Sequence, residues 1–295
     1  MGEDVQDLEI ELLLEAVYRR YGYDFRNYAW PTLRRRVLNM VEEERLSSVS
    51  VLQERVLRDA VAFERLTWHV AVNATSMFRD PSCFLALRRT IIPRLAELPF
   101  FRIWHAGCAT GEEVYSMAIL LTEEGLYDRA RIYATDMSAP ALERARAGIF
   151  PLALMQEFTE NYLRAGGTMP FSSYYAARYE SAIFRRELRR NVHFAQHNLV
   201  GDRSFNEFHV IVCRNVLIYF DAELQRRVHA LLRDSLTSDG ILVLGRSEAI
   251  PESLRGGYDE LDVRERIFQR VEPRPGRSLD AHARDRHEHL AKEHH

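Results

Sequence analysis

Residues 101–116, FRIWHAGCATGEEVYS, constrain the fold more than any other stretch of the chain. Ile103 and Trp104 favour a strand, Gly107 and Gly111 bracket a turn of small residues, and an apolar run of helical length follows. A glycine turn between a buried strand and a helix lets a ligand approach bare backbone amides at the positive end of the helix dipole. The pattern therefore predicts the first unit of an α/β sheet with a ligand at the strand end.

A second strand follows, and it ends on Asp136. In doubly wound sheets an acid at this place accepts the hydroxyls of a nucleoside ribose. A pyrophosphate turn needs a third, closely spaced glycine, but Glu112 and Glu113 follow Gly111 and would repel a pyrophosphate. S-adenosylmethionine fits better, because it carries a sulfonium, an ammonium and an adenosine but no phosphate. The turn thus predicts this cofactor and disfavours a nicotinamide dehydrogenase.

The bulk composition narrows the class of protein. Of the 295 residues, 46% are hydrophobic and 28% charged, which is ordinary for a soluble globular protein, and the net charge of −3 gives no general case for nucleic-acid binding. The three cysteines read as reduced thiols. The first residues are acidic where a signal peptide is basic, and no apolar run approaches membrane-spanning length. We expect a soluble, cytoplasmic monomer that binds no nucleic acid and does not insert into a membrane.

The first 72 residues read as an all-helical domain. The apolar positions that indicate its first helix are Leu8, Leu12, Leu13, Ala16 and Val17. A second helix is expected from Pro31, a residue suited to a first helical turn, and two more over residues 51–68.

The second helix carries three consecutive arginines. Its apolar positions are Leu33, Val37, Met40 and Val41. Arg35 then points away from the apolar face, with Arg34 and Arg36 on its flanks. Such a cluster is either a solvated face or a patch that docks on an acidic partner, and the spacing alone does not choose between them.

Beyond residue 72 the chain alternates strands and helices with one interruption. Residues 73–80, NATSMFRD, form a polar linker or a lid ahead of an apolar helix from Pro81 to about Leu95. Residues 148–190 break the alternation and suggest a hairpin-bearing insertion.

The parallel pattern resumes after the insertion. Strands are expected at residues 192–197 and 208–215, and the second is apolar enough to be buried on both faces. The later expectations are a helix capped by Asp221 and ending near Leu236, a turn at Asp239-Gly240, and strands at residues 241–244, 260–263 and 266–271. Residues 272–295 are polar and His-rich and read as a disordered tail.

Three segments together resemble one known family. NATSMFRD, GCATGEEVYS and CRNVLIYF, in this order, are similar to the chemotaxis receptor glutamate O-methyltransferase (CheR) family, from about Tyr18 to Val271. The resemblance implies an all-α N-terminal domain (1–72) before a Rossmann-like S-adenosylmethionine-dependent methyltransferase domain (73–271) with a small inserted β-subdomain (148–190). It also implies an activity and a partner, because members methylate glutamate side chains on the cytoplasmic domain of methyl-accepting chemotaxis receptors.

The resemblance also implies roles for single residues. With Gly107 of the turn, the expected cofactor-binding residues are Asn73, Thr75, Arg79, Glu113, Asp136, Asn198, Leu199, Arg214 and Asn215. Tyr219 matches a tyrosine placed near the methyl group, so Arg79 and Tyr219 are the expected catalytic residues. Arg34, Arg35 and Arg36 are the expected substrate-binding residues. In some members the insertion binds a peptide at the receptor tail, and that function is left open here.

The chemistry needs little from the protein besides positioning. An ionised glutamate, with a pKa near 4.3, is already a nucleophile at neutral pH. Alignment of the oxygen, methyl carbon and sulfur can account for about 7–11 kcal/mol of such a barrier. Arg79 and Tyr219 are therefore expected to orient the reacting groups rather than to stabilise charge.

Other readings of the same residues stay open. Taken alone, Tyr219 is consistent with a core aromatic, Arg79 with a surface pair to Asp80 or Glu97, and Asp136 with a helix cap. The histidines lack Cys or carboxylate partners at ligand spacing, so no metal site is predicted. Alternative functions are methylation of another substrate, a small molecule or RNA, and a non-catalytic module that senses the cofactor.

Overall fold

The computed structural model describes residues 4–71 and 75–272. Ten strands are assigned within these ranges: β1 Phe101–Ala106, β2 Ala130–Asp136, β3 Ile149–Pro151, β4 Tyr175–Arg178, β5 Ser181–Phe184, β6 Val192–Gln196, β7 Phe208–Cys213, β8 Leu236–Leu244, β9 Tyr258–Asp262 and β10 Ile267–Arg270. Seven of them form one sheet in the order β6-β2-β1-β7-β8-β10-β9. The pairs from β6 to β8 are parallel, and β10 is antiparallel to both of its neighbours.

The helices within the described ranges are α1 Val5–Tyr21, α2 Trp30–Glu43, α3 Val49–Arg58, α4 Ala60–Val70, α5 Pro81–Thr90, α6 Ile92–Ala96, α7 Glu112–Glu123, α8 Ala139–Ala147, α9 Met155–Arg164, α10 Ala222–Asp234 and α11 Glu252–Arg255. The predicted fold class, a Rossmann-like α/β domain with an inserted β-subdomain behind an all-α domain, is confirmed. Within the same ranges no helix combines the length and apolarity that a membrane crossing requires.

The two faces of the large sheet bury separate cores because side chains alternate along each strand. In β1, Ile103 belongs to the core that α5 and α7 cover, while Trp104 belongs to the core beneath α10. Both residues are fully buried. A strand in a parallel sheet is expected to be covered on both faces. This position explains why residues 101–106 are mainly apolar.

The N-terminal helices pack around a third core of their own. The predicted apolar face of α1 is partly wrong: Leu8 is 43% exposed and Leu12 is 52% exposed, whereas Ile10 and Leu14 are buried. Leucines occur on both sides of this helix, so periodicity alone could not choose the side that meets α3. The face predicted for α2 is confirmed for Leu33, Val37 and Met40, which are buried; Val41 is half-buried.

The insertion is a three-stranded antiparallel sheet in the order β3-β5-β4. Along the chain, α9 lies between β3 and β4. The hairpin is confirmed; α9 was not foreseen. Glu123 at the end of α7 ties the insertion to the sheet domain, because its carboxylate accepts hydrogen bonds from the phenols of Tyr162 and Tyr174 and pairs with Arg88.

Two local predictions fail. Asp239-Gly240 lies inside β8 rather than in a turn, because the register with β7 shifts there: Phe208 pairs with Leu236, but Val210 pairs with Ile241. The extra residues bulge out of the ladder, and the strand continues past them. The helix from Pro81 also ends at Thr90, and a separate short helix follows. Residues 273–295 of the predicted tail lie outside the described residues, as does residue 72 at the predicted domain boundary.

Candidate active site

An open cleft of about 950 Å³, which includes solvent at its mouth, lies at the carboxyl ends of β1, β2 and β7. The chain leaves β1 towards β2 and β6 on one side and adds β7 and β8 on the other, so the cleft sits where the strand order reverses. Open α/β sheets bind ligands at this place. The predicted cofactor residues that line it are Thr75, Arg79, Gly107, Glu113, Asp136, Asn198, Leu199, Arg214 and Asn215. Tyr219 lines it as well, and Asn73 lies outside the described residues.

The glycine turn is shaped by close backbone contacts. Gly107 has φ +78°, and a Cβ on it would lie 2.5 Å from Cγ2 of Val216. Gly111 has φ +94°, and a Cβ there would lie 3.1 Å from Cα of Ala145 in α8. Any other residue type would therefore meet both backbone strain and a collision. The turn needs its two glycines to stay closed against its neighbours.

Asp136 is held at the end of β2 by backbone amides. Its Oδ2 accepts a hydrogen bond from the N–H of Ala109, and its Oδ1 accepts one from the N–H of Ser138, both at 2.9 Å. Burial raises the pKa of this carboxyl, and the backbone hydrogen bonds oppose the rise. Ser138, not Asp136, caps α8. Because a carboxylate offers about four acceptor sites, Asp136 keeps acceptor capacity for hydroxyl groups of a ligand.

Glu113 belongs to a partly buried network of charges beside the turn. Its Oε1 lies 3.0 Å from Nδ1 of His105, and its Oε2 accepts a hydrogen bond from Arg214 at 2.8 Å. The other Arg214 nitrogen donates to Asp80 at 2.7 Å. Burial alone would raise the pKa of Glu113, but His105 and Arg214 outweigh it, so this pKa lies below its ordinary value. Glu113 therefore presents a stable negative charge to the cleft.

The same network holds the main chain of Arg79. Asp80 pairs with Arg214, and the carbonyl oxygen of Arg79 accepts hydrogen bonds from the same guanidinium at 3.4 and 3.3 Å. The backbone of Arg79 is thus anchored to the strand end after β7, while its residue as a whole is exposed at the edge of the cleft.

Strained backbone is concentrated around the cleft. Among the described residues, seven non-glycine residues have positive φ, and four of them belong to or flank the lining: Phe78, Asp80, Ala109 and Asn215. Such conformations cost about 1–3 kcal/mol each and persist only where the surroundings enforce them. Such clustering is typical of functional sites.

Glu248 was not foreseen from the sequence. It is 4% exposed, and its carboxylate accepts four backbone hydrogen bonds, from Asn215, Val216, Leu217 and Gly245, at 2.6–3.0 Å. These donors belong to the loops after β7 and β8. Glu248 therefore fixes the loop that carries Asn215 and leads to Tyr219. No short-range sequence motif indicates this role.

The helical domain closes the other side of the cleft, and the sequence did not predict this contribution. Tyr28, Val70 and Ala71 line it. The loop between α1 and α2 is joined to the loop after β7 by two backbone hydrogen bonds, from Ala29 to the carbonyl of Tyr219 at 2.8 Å and from Asp221 to the carbonyl of Asn27 at 2.9 Å.

Tyr219 stands where the two sides meet. Its side chain is half-buried, and burial raises the pKa of its phenol. The hydroxyl therefore stays protonated at neutral pH and can donate a hydrogen bond. Tyr219 is therefore not only a core aromatic, because its ring forms part of the cleft wall.

The predicted docking arginines lie outside the cleft lining. Arg34 is paired with Asp7 at 2.5 Å and Asp4 at 3.0 Å. Arg35 is exposed, and Arg36 is half-buried. The three neighbours therefore have different surroundings, and their shared role in docking stays a prediction.

The residues present fit S-adenosylmethionine. Asp136 keeps acceptors for ribose hydroxyls, Glu113 keeps a negative charge that suits an ammonium group, and Arg214 is neutralised by two acids and so does not call for a phosphate. No group of three His, Cys, Asp or Glu residues able to hold a metal occurs in residues 4–71 and 75–272.

Comparisons with known proteins agree with this chemistry. The family model described as "CheR methyltransferase, SAM binding domain" matches residues 73–266, and "CheR methyltransferase, all-alpha domain" matches residues 8–69. Cher3 of Pseudomonas putida, whose name assigns it a methyltransferase activity only provisionally, is 46% identical over 265 residues that cover 90% of this chain and 97% of that protein.

Two further relatives are named for chemotaxis. A chemotaxis protein methyltransferase of Listeria innocua is 30% identical over 250 residues, covering 83% of this chain and 92% of its own. Chemotaxis protein methyltransferase 1 of Vibrio cholerae is 34% identical over 246 residues, covering 78% and 84%.

Proposed function

Because the chain belongs to the CheR methyltransferase family, we propose that it methylates glutamate side chains on the cytoplasmic helices of chemotaxis receptors and so forms methyl esters. The cofactor pocket carries this proposal. Asp136 and Glu113 supply acceptors for a cationic nucleoside, and Tyr219 stands at the same cleft where a side chain can enter. The match of the family model to residues 73–266 supports the choice of cofactor.

The proposed assignment of residues follows from their positions. Asp136 and Glu113 hold the ribose and ammonium ends of the cofactor, Gly107 lets it approach the backbone, and Asn198, Leu199 and Asn215 form the rest of the wall. Thr75 and Arg79 come from the segment that enters the cleft from the helical side. Arg79 and Tyr219 orient the incoming carboxylate.

When bound, S-adenosylmethionine supplies an electrophilic methyl group, whose carbon bonds to the glutamate oxygen as its bond to sulfur breaks and S-adenosylhomocysteine leaves. The chain itself needs no general base, since the substrate carboxylate is ionised at neutral pH. His197 lines the cleft, and its Nε2–H donates to the carbonyl oxygen of Arg203 at 3.1 Å; the reaction does not require its other ring nitrogen as a base. The protein's own contribution is to orient and to exclude water, since charge is lost on the way to the transition state.

The receptor is proposed to dock beside the cleft on α2. Arg35 is exposed on this helix, and an arginine suits acidic side chains of a partner helix. Docking there would bring the substrate to the mouth where Tyr219 lies, because Arg36 on the next position of α2 approaches the Tyr219 ring.

The experiment is incubation of the full-length protein with S-adenosylmethionine radiolabelled at the methyl group and with cytoplasmic receptor fragments, followed by treatment with base. A carboxyl methyl ester releases volatile labelled methanol, and we expect that release. A Tyr219→Phe variant, which keeps the ring and removes only the hydroxyl, should bind S-adenosylhomocysteine normally and transfer more slowly. Label that stays on the receptor after base would mean another acceptor group, and absence of label with every fragment would contradict the proposal.

A further inference from the structure

Three consecutive arginines on α2 do three different things. Arg34 pairs with acids of the first turn of α1, and Arg35 is exposed. Arg36 instead turns inwards, and its Nη1 donates to the carbonyl of His69 at 2.8 Å and to that of Ala71 at 3.1 Å. These carbonyls are at the end of α4, where the helix dipole is negative and unpaired acceptors need donors.

Arg36 also reaches Tyr219 of the sheet domain. Its guanidinium carbon lies 5.9 Å from the centroid of the Tyr219 ring, within the range of a cation–π contact. Its Nε is buried and has no hydrogen-bond partner in the described part of the chain. The guanidinium therefore makes internal contacts: its Nη1 binds the end of α4, and its face lies over an aromatic ring of the cleft wall.

The main chain on either side of Tyr219 is fixed from the same direction. The N–H of Ala29 donates to the carbonyl of Tyr219, and the ring of Tyr28 packs edge-on against Phe220 with centroids 5.0 Å apart. The backbone hydrogen bonds hold the Tyr219 main chain, but they leave its ring free to rotate about χ1. Arg36, by contrast, contacts the ring itself.

Arg36 thus joins two parts of the cleft wall that are far apart in sequence. One is Ala71, which lines the cleft at the point where the chain leaves α4 towards Thr75 and Arg79. The other is Tyr219. Arg36 does not itself line the cleft, so its influence on the reaction must pass through these neighbours.

We propose that Arg36 is a positioning residue for methyl transfer, which sets the Tyr219 ring and the Ala71 end of the α4 segment, and is not a receptor-docking residue. The proposal rests on the proposed function and divides the arginine cluster: Arg36 serves the reaction, and Arg35 serves docking. A change of all three arginines at once would mix the two effects.

The test compares Arg36→Met with Arg35→Met, which remove the same charge and the same side-chain type from neighbouring positions of one helix. For Arg36→Met we expect kcat to fall about 10- to 100-fold, since small misplacements of reacting groups have effects of this size, and S-adenosylhomocysteine to bind several-fold more weakly. The KM for the receptor fragment should stay within about twofold. For Arg35→Met we expect the opposite, with a raised receptor KM and unchanged kcat and S-adenosylhomocysteine affinity.

A double-mutant cycle separates positioning from general damage. In a Tyr219→Ala background the ring that Arg36 contacts is gone, so Arg36→Met should lower kcat much less than it does in the wild type. Arg36→Lys, which keeps a donor and a charge but not the planar fork, should recover part of the loss. If Arg36→Met does not fold, the same comparison is made with Arg36→Lys.

Any of three outcomes would overturn the proposal. The first is a raised receptor KM with unchanged kcat for Arg36→Met, and the second is full independence of the Arg36 and Tyr219 changes in the cycle. The third is the same S-adenosylhomocysteine affinity for Arg36→Met and Arg35→Met. The last measurement uses calorimetry and needs no receptor. If the wild type esterified no receptor fragment, the proposed function would fail, while calorimetry would still decide whether Arg36 shapes the cleft.

Discussion

On the sheet side of the cleft, buried charges are held by backbone amides and by one another, whereas on the helical-domain side aromatic rings and two backbone hydrogen bonds close the wall. Asp136, Glu113 and Glu248 are each matched to specific donors on the sheet side. On the other side, Tyr28 packs on Phe220, and Arg36 lies over Tyr219.

The difference has an energetic meaning. A buried carboxylate with charge-assisted hydrogen bonds is costly to disturb, because loss of a partner leaves a desolvated charge. Aromatic packing and a cation–π contact at a half-buried ring contribute about 0.5–2 kcal/mol. The sheet side should therefore behave as a rigid binding surface, and the helical-domain side as a wall whose changes affect rate more than stability.

The largest effect that tests this contrast is expected for Glu248→Gln. The amide nitrogen cannot accept hydrogen bonds, so two of the four backbone donors lose their acceptor, at about 1.5–3 kcal/mol each, and the other two keep only a neutral one. The free energy of unfolding, measured in urea, should fall by about 3–6 kcal/mol. Glu260→Gln, at an exposed position of β9, is the control and should unfold like the wild type. A stable Glu248→Gln protein would contradict a rigid sheet side.

The next effect is on ligand affinity. Asp136→Ala should weaken S-adenosylhomocysteine binding by about 100-fold, because it removes the proposed acceptor for the ribose hydroxyls, whose charge-assisted hydrogen bonds would together contribute about 3 kcal/mol. Tyr28→Phe, on the helical-domain side, deletes only a hydroxyl that lies 3.4 Å from the Met137 sulfur and should change affinity by less than about threefold. Calorimetry of both variants that gave equal losses would remove the distinction between the two sides.

The pH dependence of binding should follow one carboxylate of the sheet side. Burial raises the pKa of Asp136 above 3.8, so this group takes up its proton early as the pH falls and then loses acceptor strength. His105 and Arg214 hold the pKa of Glu113 below its ordinary value, so its charge persists to a lower pH than that of a free glutamate. Below the pKa of Asp136, S-adenosylhomocysteine affinity should fall by about tenfold per pH unit. Asp136→Asn should bind weakly with a flatter profile, and an unchanged profile would assign the titration to another group.

The smallest effect is expected for Arg34→Gln. This arginine pairs with Asp4 and Asp7 at the surface of the helical domain, where solvent and salt screen the attraction. Melting temperature, kcat and S-adenosylhomocysteine affinity should all match the wild type at physiological salt. A clear loss of kcat would show that the positioning role ascribed to Arg36 extends along α2.

The same two sides differ in how far the sequence predicted them. Gly107, Glu113 and Asp136 lie at strand ends within one βαβ unit, and such short-range chemistry is legible from spacing. Arg36 donates to carbonyls 33 and 35 residues away, and three of the four amides that donate to Glu248 are 31–33 residues away, so spacing along the chain does not reveal either role.

The errors in secondary structure have a similar origin. The buried face of α1 was predicted correctly at Leu13 and Val17 but not at Leu8 and Leu12, because leucines occupy both sides of the helix and only the packing on α3 chooses between them. Asp239-Gly240 has turn chemistry, but the neighbouring β7 holds it in a bulged strand. Roles of individual residues in binding and transfer stay predictions until the variants above are measured.

The two hydrogen bonds that join Asn27 and Ala29 to the loop at Tyr219 and Asp221 have a consequence for dissecting this protein. A fragment that begins after the helical domain would retain the sheet side of the cleft but would lack the part of the wall that Tyr28 and Ala71 form. Solvent would then reach the reacting groups, so we expect such a fragment to retain some nucleoside binding while esterification fails. We therefore expect the amino-terminal helices to shield the reacting groups from water as well as to bind the substrate.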